Sequence, residues 1–403
     1  MSLSVLRPRS FWDAAIFVVS IFFVIIKIPY LNYPYFWDEA WVYAPAVFDM
    51  YENGPSLLPN SIDPQLSRGH PILFHFLAVC WMTIFGTSFT VAHSFSVFLS
   101  VCLILAVYAL GSHLLGKQGG LWSAVLFALQ PIFIQQSGFL LPEVQLSLFV
   151  VLTILAYMKR HMLLFAVFAT AMLMTKETGI LVLGVLGLAE MTQVILQRNF
   201  NRKGLTGLVL MGLPVLFAGL YFLIQYKQFG WFMFPEHTSM FETDPQIWAN
   251  KREVVYKTVF SEQQRPLLIG LALGAGVFSW SAAPMLLRVL LLAIGITFFT
   301  MNGTGSWLPN WYFYNVFPAA IIVSAIWIGV IFKRDNTNNH LFFPIVGLVS
   351  AVMIYFTSAH FVIGRYLLFL IPLVIISCVM LLHLSLKRSR WLFTTSMLFC
   401  GLV

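Results

Sequence analysis

Asp38 and Glu39 stand side by side just after a long apolar segment, about residues 11–31, and open a run compatible with a helix. Ionisable groups at a membrane face are costly to bury and usually mark function. One carboxylate placed there could take a proton from an incoming nucleophile, or orient it. The same residues have a plainer use, with Asp38 as a helix N-cap and Glu39 favourable in the first turn. Other polar groups punctuate apolar runs in a similar way. They are Arg68 and His70 before Pro71, Glu143 after Pro142, Lys176-Glu177, Glu236-His237 in a late loop, and Arg365-Tyr366 before a late apolar run. Glu143 also suits a helix amino end, Lys176 could snorkel, His70 could cap the helix beginning at Pro71, and Arg365 could anchor a span. Jointly these groups could build a site for an anionic lipid headgroup. The cations would hold phosphate, and the carboxylates would do acid–base work or, with histidine, bind a divalent metal.

The elements that must position them follow from composition. Of 403 residues, 60% are hydrophobic and only 9% are charged, against about a quarter charged in soluble domains. Long apolar runs recur from one end to the other, which predicts an all-α polytopic membrane protein; the alternating pattern of a membrane β-barrel is absent. Cys80, Cys102, Cys378 and Cys400 all lie in apolar runs without metal spacing and read as small core residues. The net charge of +8 is a topology signal first, because basic groups gather on the cytoplasmic side. No basic tract with interleaved aromatics points to nucleic acid.

The first span, about 11–31, is expected to remain as an anchor. The run Pro71–Phe85 would reach only about 22 Å as a helix, short of a hydrocarbon core of about 30 Å, so it is expected to lie along the interface. Residues 32–88 then form a long outer loop with two surface helices, Ala40–Tyr51 and Pro71–Phe85. Further spans are expected at about 89–115, 119–136, 144–158, 162–175, 178–196, 204–226, 266–282, 284–301, 312–332, 341–358, 366–386 and 391–403, about thirteen in all. With the amino terminus inside, Arg7, Arg9, Lys117, Lys159-Arg160, Arg202-Lys203, Lys333-Arg334 and Lys387-Arg388 share the inner side. Asp38, Glu143, Lys176, His237 and Arg365 then share the outer one. A second outer segment, 227–265, is rich in aromatics suited to the headgroup zone.

The order of these motifs resembles the GT-C membrane glycosyltransferases that use polyprenyl-phosphate sugars, especially the lipid A aminoarabinose transferase and protein O-mannosyltransferase families. The stretches that carry the resemblance are Trp37-Asp38-Glu39, Gly69-His70-Pro71, Leu141-Pro142-Glu143, Met174-Thr175-Lys176, Pro235-Glu236-His237 and Arg365-Tyr366-Leu367-Leu368. The resemblance implies a single transmembrane glycosyltransferase domain over residues 1–403. Its implied reaction is an inverting sugar transfer from a polyprenyl-phosphate donor to a protein, lipid or glycan acceptor. This would take place at the outer face of the plasma or inner membrane. Asp38 would be catalytic, with Glu39 beside it. Arg68, His70, Glu143, Lys176, Arg365 and Tyr366 would bind substrate, and His237 with Glu236 would hold a divalent metal if one is used. No nucleotide, organic cofactor or nucleic acid is implied.

The sequence departs from the aminoarabinose pattern at Gly69-His70, where that family has a Glu-Lys pair, and at Trp41, where it has arginine. His70-Pro71 follows the mannosyltransferase pattern instead. Two rivals remain from the residues alone: a secondary transporter or lipid flippase, and an inactive relative that acts as a scaffold. Transporters usually show internal repeats and midplane charges, and neither is visible here.

Overall fold

The computed structural model describes residues 10–196, 202–263, 265–278, 284–302, 326, 341–360, 363–386 and 389–402. Apart from residue 326, the expected span at 312–332 lies outside them, as do Arg7, Arg9, Lys333-Arg334 and Lys387-Arg388.

The described chain is helical. Helix α1 (Phe11–Lys27) starts at an N-cap, Ser10, whose hydroxyl accepts from the amide of Asp13, satisfying one free donor of the first turn. Its buried residues are Ile16, Ser20, Phe23 and Lys27, a stripe at alternating spacings of four and three that faces the bundle. The opposite side of α1 exposes Phe17, Val18, Ile21, Phe22 and Ile25, a surface suited to lipid. Ser20 returns its hydroxyl to the carbonyl of Ile16 at 2.9 Å, the usual way an apolar helix satisfies a buried hydroxyl.

The segment after α1 contains a π-type turn, Glu39–Tyr43, that runs into α2 (Ala44–Asn53). Single π turns inside helices recur at functional sites. A short α3 (Pro64–Ser67) and then α4 (Leu73–Phe85) follow; α2 and α4 lie near the helices expected at Ala40–Tyr51 and Pro71–Phe85. The region Phe89–Ala128, α5, is 40 residues long but broken at Gly116, whose φ of 78° and ψ of 169° are not helical. The two halves reverse direction there. A Cβ on Gly111 would lie 2.9 Å from the Cα of Gly120, so the close approach of the two halves requires glycine. The third expected span, 119–136, is divided by Pro131, which starts a separate α6 (Pro131–Gln136).

Then come α7 (Glu143–Met158), α8 (Met162–Thr175), α9 (Gly179–Leu196), α10 (Arg202–Phe229), α11 (Pro235–Ser239), α12 (Pro245–Tyr256), α13 (Arg265–Phe278), α14 (Met285–Asn302), α15 (Phe342–Ala359), α16 (Leu370–Ser385) and α17 (Arg390–Leu402). The centre is built by α5 against α1, α7 and α16, and by α8 against α7 and α10. Its core holds Phe23, Phe127 and Phe133 in ring contact.

The protein is an all-helical, multi-pass membrane protein. Among the described residues, four regions are long and apolar enough to cross a bilayer: Phe11–Tyr30, Phe89–Ala128, Thr206–Phe229 and Phe342–Ala359. Eight more apolar helices are shorter, at 10–17 residues. Length therefore supports fewer crossings than the thirteen expected, because a helix of 14 residues spans only about 21 Å.

Candidate functional site

Four chain reversals meet at one end of the bundle. They are the turn into Glu39–Tyr43, the start of α7, the end of α8, and a 3-10 turn, Gly364–Leu367, before α16. Each contributes one ionic side chain. Asp38 occupies the cap position of its helix yet makes no capping hydrogen bond. Its carboxylate instead accepts from the guanidinium of Arg365, so the structural reading of Asp38 as an N-cap gives way to a long-range ion pair. Arg365 also places Nε 3.3 Å from Oε1 of Glu143, and the same oxygen lies 3.5 Å from Nζ of Lys176. Two carboxylates and two cations thus form one charge-balanced chain: Asp38, Arg365, Glu143, Lys176.

This chain is largely buried. Glu143 is 1% exposed and Lys176 4%, while the Asp38 side chain keeps 28% of its surface open. The ring of Tyr366 lies 3.6 Å from the Lys176 ammonium and 5.4 Å from the Arg365 guanidinium, a cation–π support for both. Tyr43 is buried alongside. Burial pushes its phenol well above the usual value, and the charges of Glu143, Tyr366 and Asp38 push it further while Arg365 opposes them. Oε2 of Glu143 is buried without a hydrogen-bond partner. It is an acceptor held ready, since a buried carboxylate oxygen costs free energy until a donor reaches it.

Glu39 faces elsewhere. It is fully buried. Its Oε1 lies 2.9 Å from Nε2 of His93 and accepts from the amide of Leu140 at 2.6 Å, and its Oε2 accepts from the amide of Phe36 at 3.2 Å. His93 in turn reaches the carbonyl of Leu31 at 2.9 Å through Nδ1. Glu39 therefore staples α1's exit, α5 and the segment leading to Glu143, and positions both neighbours of the ionic chain. The two adjacent carboxylates divide into one that is tied down and one that is reachable.

Trp37, next to Asp38, has φ of 53°, a region that bulky residues rarely adopt and that surrounding structure must enforce. It is 66% exposed and lines a cleft of about 580 Å³ together with Phe36, Gln136, Phe139, Gln263 and Arg365. Gln263, also at the cleft, has φ of 61°. Arg265 is buried beneath this region, donating to Gln130 Oε1 at 2.8 Å and to the carbonyl of Thr258 at 2.6 Å. Arg365 is the residue common to the ionic chain and the cleft.

A second polar group joins the loops. His70 Nδ1 lies 2.9 Å from Glu177 Oε2, and its ring centroid is 4.9 Å from that of His237. The carbonyl of His237 is 3.1 Å from Nε2 of His360. Gly69 has φ of +69°, and a Cβ there would lie 2.7 Å from the ring of Trp231, so this glycine lets the late loop close against residues 69–70. Burial raises the Glu177 carboxyl, but the His70 and Lys176 charges outweigh it and hold it at about 2. Burial and the His70 charge push His237 down to about 4.

The structure thus brings together Asp38, Glu143, Lys176, Arg365 and Tyr366, and separately His70 and His237. Arg68 is exposed, with φ of 48° at the end of α3. Glu236 is exposed, and only its backbone carbonyl accepts a bond, from Ser239 at 2.8 Å. Among the described residues no group of three or more His, Cys, Asp or Glu side chains is placed to hold a metal. His237 and Glu236 do not fit that role together: one ring packs on His70 while the other carboxylate faces outward. Sequence reading named Glu177 only beside Lys176, without a role of its own, and gave no role to His93, Tyr43 or Gln136; His93 lies 54 residues from Glu39 and carries no local signal.

Residues 69–223 match the family described as dolichyl-phosphate-mannose-protein mannosyltransferase, a stretch that includes His70, Glu143 and Lys176. In structure, the chain is similar to ArnT from Cupriavidus metallidurans in the apo state, with a TM-score of 0.54 at 14% identity over 96% of this chain and 62% of that one. It is also similar to the Archaeoglobus fulgidus oligosaccharyltransferase in the apo form, with a TM-score of 0.51 at 13% identity over 98% and 54%. ArnT of the same Cupriavidus species bound to undecaprenyl phosphate aligns at a TM-score of 0.46 and 15% identity, over 94% and 78%. The chain spans 62% of the length of the first of these structures. No curated protein matches its sequence. The resemblance to the GT-C glycosyltransferases read from the motifs is therefore present in both the sequence family and the fold.

Proposed function

We propose that this chain is an integral membrane glycosyltransferase that moves a monosaccharide from a polyprenyl-phosphate donor to an acceptor at the outer face, with inversion. The observation that carries the reading is the balanced ionic chain Asp38–Arg365–Glu143–Lys176, whose Arg365 lines a cleft of about 580 Å³. The mannosyltransferase family match, whose name specifies a dolichyl-phosphate sugar, supports a donor of the same chemical kind. The whole chain would act as one transferase domain, with residues 32–88 and 227–265 forming its active face.

The chemistry follows from the charges. A hydroxyl of the acceptor attacks the anomeric carbon, the bond from that carbon to the phosphate oxygen breaks, and its electron pair leaves with the phosphate. Asp38 is the partly open carboxylate and takes the hydroxyl proton, a contribution of about 10²–10⁴-fold. Lys176 and Arg365 stabilise the departing phosphate. The 3.5 Å separation of Lys176 from Glu143 is a loose contact, which an incoming phosphate can exchange for its own oxygen. Glu143 then holds Arg365 and offers its unpartnered Oε2 to a substrate hydroxyl. Glu39 acts through position, holding Phe36 and Leu140 on either side of the site.

Purified protein incubated with a panel of polyprenyl-phosphate sugars is expected to consume one of them and release polyprenyl phosphate when an acceptor is supplied. The Asp38→Asn variant is expected to express and fold but not to turn over. Wild-type turnover by Asp38→Asn would remove Asp38 as the base, and no consumption of any donor by wild-type protein would remove the reading itself.

A further inference from the structure

Lys27 is a buried cation that sugar transfer does not use. It continues the inward stripe of α1 behind Ile16, Ser20 and Phe23 and is only 7% exposed. It therefore points into the bundle, where a lysine near a span end would ordinarily snorkel to water. Its ammonium donates to the carbonyl of Ile134 and stands 5.8 Å from the Phe23 ring. Among the described residues it has no carboxylate partner, in contrast to Lys176, which shares Glu143.

A carbonyl near the end of α6 satisfies one N–H and supplies a partial charge, but two of the three ammonium donors and a full unit of charge remain. Burying such a charge without a counter-ion is unfavourable, because the ammonium loses hydration that a single carbonyl does not replace. The neighbouring histidine does not supply the missing anion. Glu39, the carboxylate behind His93, is held by that ring at 2.9 Å and by the amides of Leu140 and Phe36, and makes no ion pair with Lys27.

The space beside Lys27 is a cavity of about 390 Å³ lined by Lys27, Tyr30, Tyr33, His93, Gln135 and Phe139. Gln135 and Phe139 also line the main cleft, so the two cavities adjoin. Tyr30 and Tyr33 are in edge contact at 5.6 Å and are both more than half exposed; their phenols can donate to an anion's outer oxygens. The adjoining face of α1 presents Ile21, Phe22, Ile25 and Ile28 outward, so an occupant with an acyl or isoprenoid tail has an apolar surface to lie on. Two N–H groups, two phenols and one uncompensated positive charge suit a compact oxyanion with several acceptor oxygens.

We propose that the Lys27 cavity binds the phosphate of an anionic membrane lipid, as a second lipid subsite beside the transfer cleft. The proposal concerns binding and stands apart from whether sugar transfer occurs.

The test uses the full chain in nanodiscs of zwitterionic phosphatidylcholine. Phosphatidic acid is titrated in, and bound lipid is counted by native mass spectrometry. Wild-type protein is expected to retain a phosphatidic acid molecule in preference to phosphatidylcholine. Lys27→Met is expected to weaken that retention by at least about tenfold, and Lys27→Arg, which keeps charge and donors, to stay within about threefold of wild type. Equal retention by wild type and Lys27→Met overturns the proposal. So does inorganic phosphate that displaces the lipid at equal concentration, because the tail would then contribute nothing. Should Lys27→Met not fold, Tyr33→Trp in the Lys27-intact protein reports on the same cavity. Its added fluorescence is expected to be quenched more by brominated phosphatidic acid than by brominated phosphatidylcholine, and equal quenching refutes the site.

Discussion

Two polar clusters share one end of this molecule, and they are built from different chemistry. The chain Asp38–Arg365–Glu143–Lys176 alternates two carboxylates with two cations, anchored where helices start or stop. The cluster of His70, Glu177, His237 and His360 uses titratable rings and joins loops to one another. The difference teaches a division of labour. Under the proposed reading, groups that hold a phosphate or accept a proton need fixed positions, which helix ends and a buried ionic network provide. A clamp on the late loop needs only to close, and its strength can vary with pH.

The comparison is broken most severely at Asp38. If the ionic chain performs the reaction, Asp38→Asn lowers the turnover of donor sugar by about 10²–10⁴-fold, while His237→Ala lowers it far less; similar losses in both variants would erase the distinction. Next in size is Glu143→Gln. It leaves Lys176 and Arg365 without their shared carboxylate, and breaking a buried ion pair costs about 3–5 kcal/mol. Its thermal unfolding midpoint in detergent is expected to fall well below that of Asp38→Asn, whose position is more open. Lys176→Ala comes third: the apparent donor affinity should weaken by about tenfold, on the order of 1.4 kcal/mol, with a smaller change in turnover at saturation.

The smallest effect sharpens the other side of the comparison. In the folded chain His237 is held at about 4 against an ordinary 6.5. As pH falls through that window the unfolded chain takes up a proton that the folded chain refuses, so stability falls with acidification. Glu177, held at about 2 against 4.5, contributes stability that is present above 4.5 and is lost as pH falls toward 2. The clamp therefore weakens on the acid side for two reasons in two successive windows. His237→Phe is expected to flatten the dependence of unfolding midpoint on pH between 6.5 and 4 and to leave the slope below 4.5 from Glu177 in place. An unaltered slope in the upper window would assign the effect to another group.

Much of the helix placement was legible, because apolar runs with polar ends declare themselves. The expected segments 144–158, 162–175 and 341–358 sit within a residue of α7, α8 and α15. The break near Gly116 falls between the expected spans 89–115 and 119–136, whereas the stop before Pro131, where the ring removes an N–H, was missed by the expected span 119–136. The crossing number was not legible. Several of these helices are shorter than a bilayer is thick, and apolar character alone does not separate a spanning helix from one buried in the protein. Within the candidate site, the residue types and their shared end could be read, but not their partners. Glu39 resembles Asp38 in every local respect, yet it finds His93 and Leu140 while Asp38 finds Arg365, 327 positions away.

The sequence by itself determined that the chain is a helical membrane protein with its acids, histidines and several cations gathered near helix ends, because hydrophobic run length and charge placement are local properties. Only the tertiary structure decided which carboxylate is locked and which is open, which lysine has a counter-ion and which has none, and where the clefts lie. Those outcomes depend on distances between residues far apart in the chain, and such distances are set by how the helices pack.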